Sequence, residues 1–321
     1  MQRWGEPDGR PEVLVLRALK LGDLLVSVPA LRGIRRARPE ARIVLATPAW
    51  LEPLVDLLDA VDVLLPADGL DEPLPLPPGL IETAVDLHGY GPQSRARCEA
   101  LRPQHLVGFR APGWAGPEHP VDVHERVRWA SLVTWHGMPA DPDDLRIRVP
   151  EQGSVRPGCT VVHIGAFYGS REWPVERFAA VAADLAGRGA DVVLTGGAAD
   201  RGRAERTAAL AGLPASAVLA GEIGVGEFAA VVAGAALVVT ADTGAGHLAS
   251  AYGRPSVVIF GPVPPEHWGP PPGPHVALTH AELRRGEPFV DEPDPALLAV
   301  TVDEVLAAVA SLPVDLGPAG G

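Results

Sequence analysis

Strand-sized apolar runs alternate with helix-sized amphipathic stretches along nearly the whole chain, and that alternation restricts it to βαβ units around parallel sheets. Residues 13–17 are a Leu- and Val-rich run, read as the first strand, and Leu19 to Asp23 follow as a turn. Leu24, Val28, Leu31 and Ile34 then recur at helical spacing, and the pattern stops at Arg35, Arg36, Arg38 and Pro39. Further strands are expected over 42–46, 61–65, 81–87 and 105–109. Helices are expected over 50–58 and 94–101, and from a cap at Asp122 to about Trp135. The Pro-rich stretch 66–78 reads as an extended loop, and 111–120 as a Gly/Pro/Trp loop.

Composition shifts between Pro139 and Gly158, around one short expected strand at 145–149. The 321 residues exceed one ordinary core, so two domains are expected, 1–152 and 153–321, with the boundary near Gly153. The second series has strands at 160–164, 191–194, 237–239 and 257–260. Its helices run over 175–186, with Pro174 at the first helical position, over 200–210, from Gly226-Glu227 to Ala233, and over 302–312. The last of these has the option of packing back on the N-terminal domain, and residues 317–321 read as frayed.

Within this series the run Val238 to Ala249 carries the clearest chemistry. A strand passes through Asp242-Thr243-Gly244 into a helix continued by Leu248, Ala249 and Tyr252, with Asp242 or Thr243 as N-cap. The first amides of such a helix lack intrahelical acceptors and favour anions, phosphate above all. Gly244 admits close approach to the backbone, and His247 adds a donor one turn on.

The net charge of −13 argues against nucleic acid as the main partner and against a broadly basic membrane-docking face. Lys20 is the single lysine; the other 26 basic residues are arginine. No apolar run approaches the roughly 20 residues that span a bilayer. The polar start of the chain lacks a signal-peptide core, so a cytoplasmic protein is expected. Cys98 and Cys159 lack metal or redox spacing and read as small buried hydrophobes. Asp141-Pro142-Asp143 is formally Asp-x-Asp but sits in a Pro-rich turn, and no metal site is expected. Gly-x-Ser-x-Gly does not occur, and Gly224-Val225-Gly226 lacks the third glycine of a dinucleotide fingerprint.

Four stretches together resemble glycosyltransferase family nine, the ADP-heptose heptosyltransferases. They are Arg17-Ala18-Leu19-Lys20-Leu21-Gly22-Asp23 with Pro29-Ala30-Leu31; His163 with Arg171-Glu172-Trp173-Pro174; Asp242-Thr243-Gly244-Ala245-Gly246-His247; and Gly261-Pro262 with Trp268-Gly269. They fall in both halves, in the family's order. The resemblance implies a GT-B fold, α/β, with two Rossmann-like doubly wound domains facing across a cleft. It implies a metal-independent, inverting transfer of a heptose from an ADP-sugar. The C-terminal half would hold the nucleotide sugar and the N-terminal half the acceptor.

By that resemblance Asp23 is the general base for the acceptor hydroxyl; unaided, it reads as a helix-dipole partner worth roughly 0.3–1 kcal/mol. The donor set is His163, Arg171, Gly196, Gly197, Asp242, Thr243, Gly244 and His247. Arg171 stands where the family often has lysine, a planar fork in place of a compact ammonium. Glu227 is the candidate by position for the donor ribose, ahead of Glu222. The acceptor set is Lys20, Gly22, Asp86, His88, His124 and Arg126, of which Asp86 and His124 read equally well as caps. The acceptor is lipopolysaccharide inner core at the inner-membrane face, or a soluble natural-product intermediate. Arg32, Arg35, Arg36 and Arg38 form a local basic patch for the former, or a solvated helix end. The alternatives are a nucleotide-sugar-binding protein without transfer activity, and a GT-B epimerase or hydrolase.

Overall fold

A computed structural model of the chain describes residues 2–3 and 8–315; the expected frayed end at 317–321 lies outside them. The chain divides into two compact units at 148/149, where composition had suggested 152/153.

The first unit holds a parallel sheet of β1 (Gln2–Arg3), β2 (Glu12–Leu16), β3 (Arg42–Thr47), β4 (Val63–Pro66), β5 (Thr83–Asp86) and β6 (His105–Val107), in the order β1-β4-β3-β2-β5-β6. Its helices are α1 (Leu21–Val26), α2 (Val28–Ala37), α3 (Glu52–Val55), α4 (Pro92–Ala100) and α5 (Glu125–Trp135). β2 and β3 are buried along their whole length, as apolar strands covered on both faces must be. The chain leaves β2 toward β3 on one side and returns with β5 on the other. Loops after β2 and β5 therefore diverge, and doubly wound sheets bind ligands at the carboxyl end of such a divergence.

The second unit has the parallel order β11-β10-β9-β7-β8, from β7 (Thr160–His163), β8 (Val192–Thr195), β9 (Leu237–Ala241), β10 (Ser256–Ile259) and β11 (His275–Leu278). Its helices are α6 (Val175–Gly187), α7 (Arg201–Ala211), α8 (Val225–Ala233), α9 (Gly244–Ala251), α10 (Pro265–Trp268), α11 (Pro295–Ala299) and α12 (Val302–Ser311). Here β7 feeds β8 on one side and β9 feeds β10 on the other, so the divergence lies between β7 and β9. Side chains of α6, α7, α11 and α12 close one core with the sheet, including Phe178, Leu185, Ala208, Leu297, Val305 and Val309. Trp173 is wholly buried there, its ring edge-on to Phe178 at 4.9 Å and its Nε1 donating to the Val300 carbonyl at 3.1 Å.

Several expectations change. Leu21 to Asp23 are the first turn of a helix, not a loop, and the helix breaks at Ser27 because Pro29 follows. The helix expected over 50–58 shrinks to a 3₁₀ turn and α3. Residues 145–149 form no strand: Leu145 and Ile147 are buried alternately, which mimics strand patterning, but no ladder partner lies beside them. Pro174 is the N-cap of α6, one place before the first helical residue. His124, not Asp122, caps α5. α12 packs on α6, β10 and β11 of its own unit. β11, α10 and α11 escaped notice because they are short and set among prolines. Cys98 and Cys159 are buried, and burial pushes the Cys159 thiol up to about 12.

Candidate functional site

Each unit gathers its sequence-predicted residues at its divergence point. In the second unit, β9 runs through Asp242 and Thr243 into α9. Thr243 is extended and accepts the Ala245 amide on Oγ1 (3.4 Å) and the Gly246 amide on its carbonyl (3.2 Å). Two of the amides expected to point outward are thus satisfied locally, and both residues are buried; Gly244, at the tip, is only partly covered. Thr243 is the cap. Asp242 instead lies beneath the turn, 4% exposed, with its carboxylate 3.7 Å from the Arg171 guanidinium.

That contact joins two motifs separated by some seventy residues in the chain. Arg171 ends a 3₁₀ turn, Gly169–Arg171, in the loop after β7. Ser170 fixes the loop, donating its amide to Val290 O (2.9 Å) and its hydroxyl to Pro288 O (2.9 Å), and accepting the Asp294 amide (3.1 Å). Fully buried Asp294 in turn accepts the amides of Arg285, Gly286 and Ala296. Arg284 continues the strap, donating to Gly261 O at 2.8 Å. Ser170, Arg284 and Asp294 were not picked out from the sequence; an Asp before Pro295 at a helix start was the available signal. The fourth motif also arrives here: the His247 ring stands edge-on to Trp268 at 6.0 Å.

Beside them, His163 ends β7 with Nδ1 3.0 Å from Thr195 Oγ1 and its ring 5.2 Å from Phe228. Burial lowers its pKa to about 4, so the imidazole is neutral near pH 7. A Cβ on Gly165 would fall 2.9 Å from His163 Nε2, 2.7 Å from Asp200 Oδ2 and 3.2 Å from Gly196 Cα. Gly196 and Gly197 follow β8, and Gly197 donates its amide to Asp200 Oδ2 at 2.8 Å. Asp200, read only as a helix start, is the carboxylate that fixes this turn. Glu227 is exposed in the first turn of α8 and accepts the Gly224 amide at 2.9 Å, next in sequence to Phe228. Glu222 pairs with Arg201 on the surface.

In the first unit, Asp23 sits in the first turn of α1, which Lys20 caps and in which Gly22 is half-buried. Its Oδ1 lies 3.2 Å from Arg17 Nη2, and its Oδ2 accepts the Lys20 amide at 3.4 Å. Arg17 is buried, donates to the carbonyls of Asp23 and Leu87, and lies 4.8 Å over the Trp129 ring. Trp129 donates to Glu125, which pairs with Arg128, so the first turn of α5 buttresses the guanidinium. His88 stands in the same neighbourhood: burial, then the charge of Arg17, lowers its pKa to about 4, with Asp23 opposing.

Three acceptor candidates have internal duties. Asp86 is 2% exposed and accepts from the His88 amide (2.9 Å) and the Ser94 hydroxyl (2.6 Å). It shapes the loop and is closed to an acceptor. His124 Nδ1 accepts the Arg126 amide at 3.2 Å as the cap of α5, and Arg126 turns to Asp143 at 3.2 Å. Asp141 and Asp143 form a turn, the Asp143 amide donating to Asp141 Oδ1 at 3.0 Å. Among the described residues no group of three or more His, Cys, Asp or Glu could hold a metal ion. Arg32 and Arg36 share Asp144, Arg35 pairs with Asp62 and Arg38 with Glu82, so three carboxylates offset most of the charge of this helix end.

Comparison with known proteins decides what these features belong to. The model of glycosyltransferase family 9 (heptosyltransferase) matches residues 132–287, which include Arg171, Asp242 and His247. Over that stretch the chain is similar to glycosyltransferase family 9. Lipopolysaccharide heptosyltransferase 2 of Escherichia coli (strain K12) is 26% identical over 298 residues, covering 81% of this chain and 85% of the relative. The solved E. coli ADP-heptose lps heptosyltransferase II superposes with a TM-score of 0.74 at 22% identity, over 94% of this chain and 98% of that one. E. coli heptosyltransferase WaaC with ADP gives 0.66 at 18% identity, over 93% and 99%. The fold of the chain is therefore GT-B. Among its described residues no helix is long and apolar enough to cross a membrane.

Proposed function

We propose that this enzyme moves a heptose, or a closely related sugar, from an ADP-sugar to a hydroxyl of the lipopolysaccharide inner core, inverting the anomeric carbon without a metal ion. The second unit binds the donor and the first unit, residues 1–148, the acceptor. The observation that carries the reading is the convergence of Arg171 on Asp242 at the start of α9, beside the divergence of β7 and β9. There a guanidinium and a helix start share one turn, a combination suited to a diphosphate. The relatives' names supply the ADP-heptose and the lipopolysaccharide.

In this reading Asp23 takes the proton from the acceptor hydroxyl as its oxygen bonds to the anomeric carbon. The bond to the pyrophosphate oxygen breaks with its electron pair, through an oxocarbenium-like transition state. Arg171, His247 and the α9 dipole stabilise the charge on the departing ADP. His163, Gly196, Gly197 and Glu227 line the nucleotide's place; Lys20, Gly22 and His88 flank the acceptor oxygen. The protein works in the cytoplasm, with peripheral contact at the inner-membrane face.

The test is thermal protection by ADP-, GDP- and UDP-sugars, followed by turnover on inner-core acceptor with excess chelator present. ADP-heptose alone should protect, turnover should survive the chelator, and Asp23→Asn should lower kcat by about 10²–10⁴-fold with protection intact. Equal protection by all three nucleotides, or full activity of Asp23→Asn, would refute it.

A further inference from the structure

We propose that Tyr90, stacked on His119, is the platform on which a pyranose ring of the acceptor lies while its hydroxyl is presented to Asp23. The proposal rests on the reading of the first unit as the acceptor side and names the ring that side receives.

Tyr90 is 60% exposed in the loop after β5. The His119 ring covers one of its faces, centroids 4.0 Å apart and planes within 23°. A large aromatic stacked on one side and that exposed has its other face open to water. The position is built, not incidental. Arg95 donates to the Tyr90 carbonyl, and Gly91 next to it caps α4. Upstream, Asp86 fixes the same loop through the His88 amide and Ser94.

The ring pair is also continuous with the proposed base. His119 meets Phe109 edge-on at 4.7 Å, Phe109 meets Trp129 at 5.8 Å, and Trp129 carries the Arg17 guanidinium that pairs with Asp23. The connections after β2 and β5, which carry Asp23 in the first turn of α1 and Tyr90 in a loop, are those that diverge at the middle of the sheet.

The chemistry of the platform selects its occupant. Burial and the charge of Arg128 lower the His119 pKa, so the imidazole beneath Tyr90 is neutral near pH 7. The arginines around them have partners of their own: Arg95 on Tyr90 O, Arg110 on Glu118, Arg128 on Glu125. What faces outward is therefore the negative face of an aromatic quadrupole. It attracts C–H groups of an uncharged ring, and the incoming molecule must also carry an alcohol. One six-membered sugar ring meets both conditions and matches one phenol in size.

Saturation-transfer NMR with methyl α-mannopyranoside as probe, and benzyl alcohol as an aromatic control, tests the assignment on wild type, Tyr90→Phe, Tyr90→Leu and Tyr90→Ala. Transfer should be strongest to ring protons of one face. Affinity should be kept in Tyr90→Phe and reduced about five- to ten-fold in Tyr90→Leu and Tyr90→Ala, the scale of a lost ring contact. Unchanged protection by ADP in every variant shows that the fold and donor site are intact. Equal pyranoside binding in wild type and Tyr90→Ala, no pyranoside binding to wild type, or Tyr90-dependent binding of benzyl alcohol alone overturns the proposal. Failure of every nucleotide sugar to protect wild type would instead remove the donor assignment and leave a Tyr90-dependent pyranoside signal standing.

Discussion

Arg17 grips Asp23 at two points, donating from Nε to its backbone carbonyl at 3.0 Å and meeting its carboxylate from Nη2 at 3.2 Å. A guanidinium this deeply buried is costly, and burial pushes its pKa down against the opposing charges of Asp23, Glu125 and Asp86. Its third bond, to Leu87 O, ties the loop of His88 to the same group. In the proposed mechanism Arg17 is therefore a positioning residue for Asp23. A lysine ammonium cannot reach all three acceptors in one plane. Arg17→Lys should lower kcat by about 10²-fold, the scale of a roughly 1 Å misplacement, with donor KM nearly unchanged. Steady-state kinetics at saturating donor, with ADP protection as the control for folding, measures the split. A matching rise in KM would argue for a different role.

On the donor side, Arg171 has a nearly buried anionic neighbour in Asp242, 3.7 Å away. In the proposed donor site, removing the guanidinium takes a charge-assisted contact from a diphosphate and a cationic neighbour from Asp242. Arg171→Ala should weaken ADP about 10- to 100-fold by calorimetry, consistent with roughly 1.5–3 kcal/mol for a hydrogen bond to a charged group. Arg171→Lys should recover part of that loss. Asp23→Asn, in the other unit, should leave ADP affinity unchanged.

The parallel α/β plan was legible because β2, β3 and β9 are continuous apolar runs, a pattern that buried parallel strands require. Asp23, Arg171 and Asp242 were picked out only because their motifs are characteristic as a set. Their bonding was not. Nothing in the order of residues says that Arg17 reaches Asp23 and Leu87, or that Asp242 faces Arg171 while Thr243 does the capping. Asp86 and His124 show the same limit from the other side: carboxylate and imidazole at element ends have the composition of ligands, and here they hold their own loops. The strand expected at 145–149 failed because alternate burial of Leu145 and Ile147 needs no ladder. The Arg32–Arg38 cluster failed as a surface patch because its acids lie far off in sequence.

His163, like His88, makes acid stability depend on a buried ring. Its pKa is about 4 in the folded chain against an ordinary 6.5, so between those values the unfolded chain binds more protons. Stability should therefore rise with pH from about 4 to 6.5 and be lost as pH falls through that window. The full shift corresponds to roughly 3 kcal/mol at its lower end. His163→Gln keeps a group able to bond Thr195 but does not titrate. Urea unfolding of both proteins at intervals between pH 4.5 and 7 should show a flatter slope for the variant. Parallel curves would mean that His163 is not neutral in the fold.

Two glycines of the second unit, Gly165 in the loop after β7 and Gly202 in α7, give a paired test of the proposed donor turn. A methyl on Gly165 would lie 2.7 Å from Asp200 Oδ2 and 2.9 Å from His163 Nε2. Neither can withdraw easily, since Oδ2 accepts the Gly197 amide at 2.8 Å and the imidazole is bonded to Thr195 at 3.0 Å. Gly165→Ala should destabilise by about 1–3 kcal/mol, as overpacking does, and weaken ADP binding together with it. Gly202, within α7, has nothing within 4 Å of the corresponding position. Gly202→Ala should stabilise by roughly 0.5–1 kcal/mol through helix propensity and leave ADP affinity alone. Urea midpoints and calorimetric ADP titrations on the two variants decide it: a Gly165→Ala protein that is as stable and binds ADP as tightly as wild type would mean that the turn formed by Gly165, Gly196 and Asp200 is looser than this geometry requires.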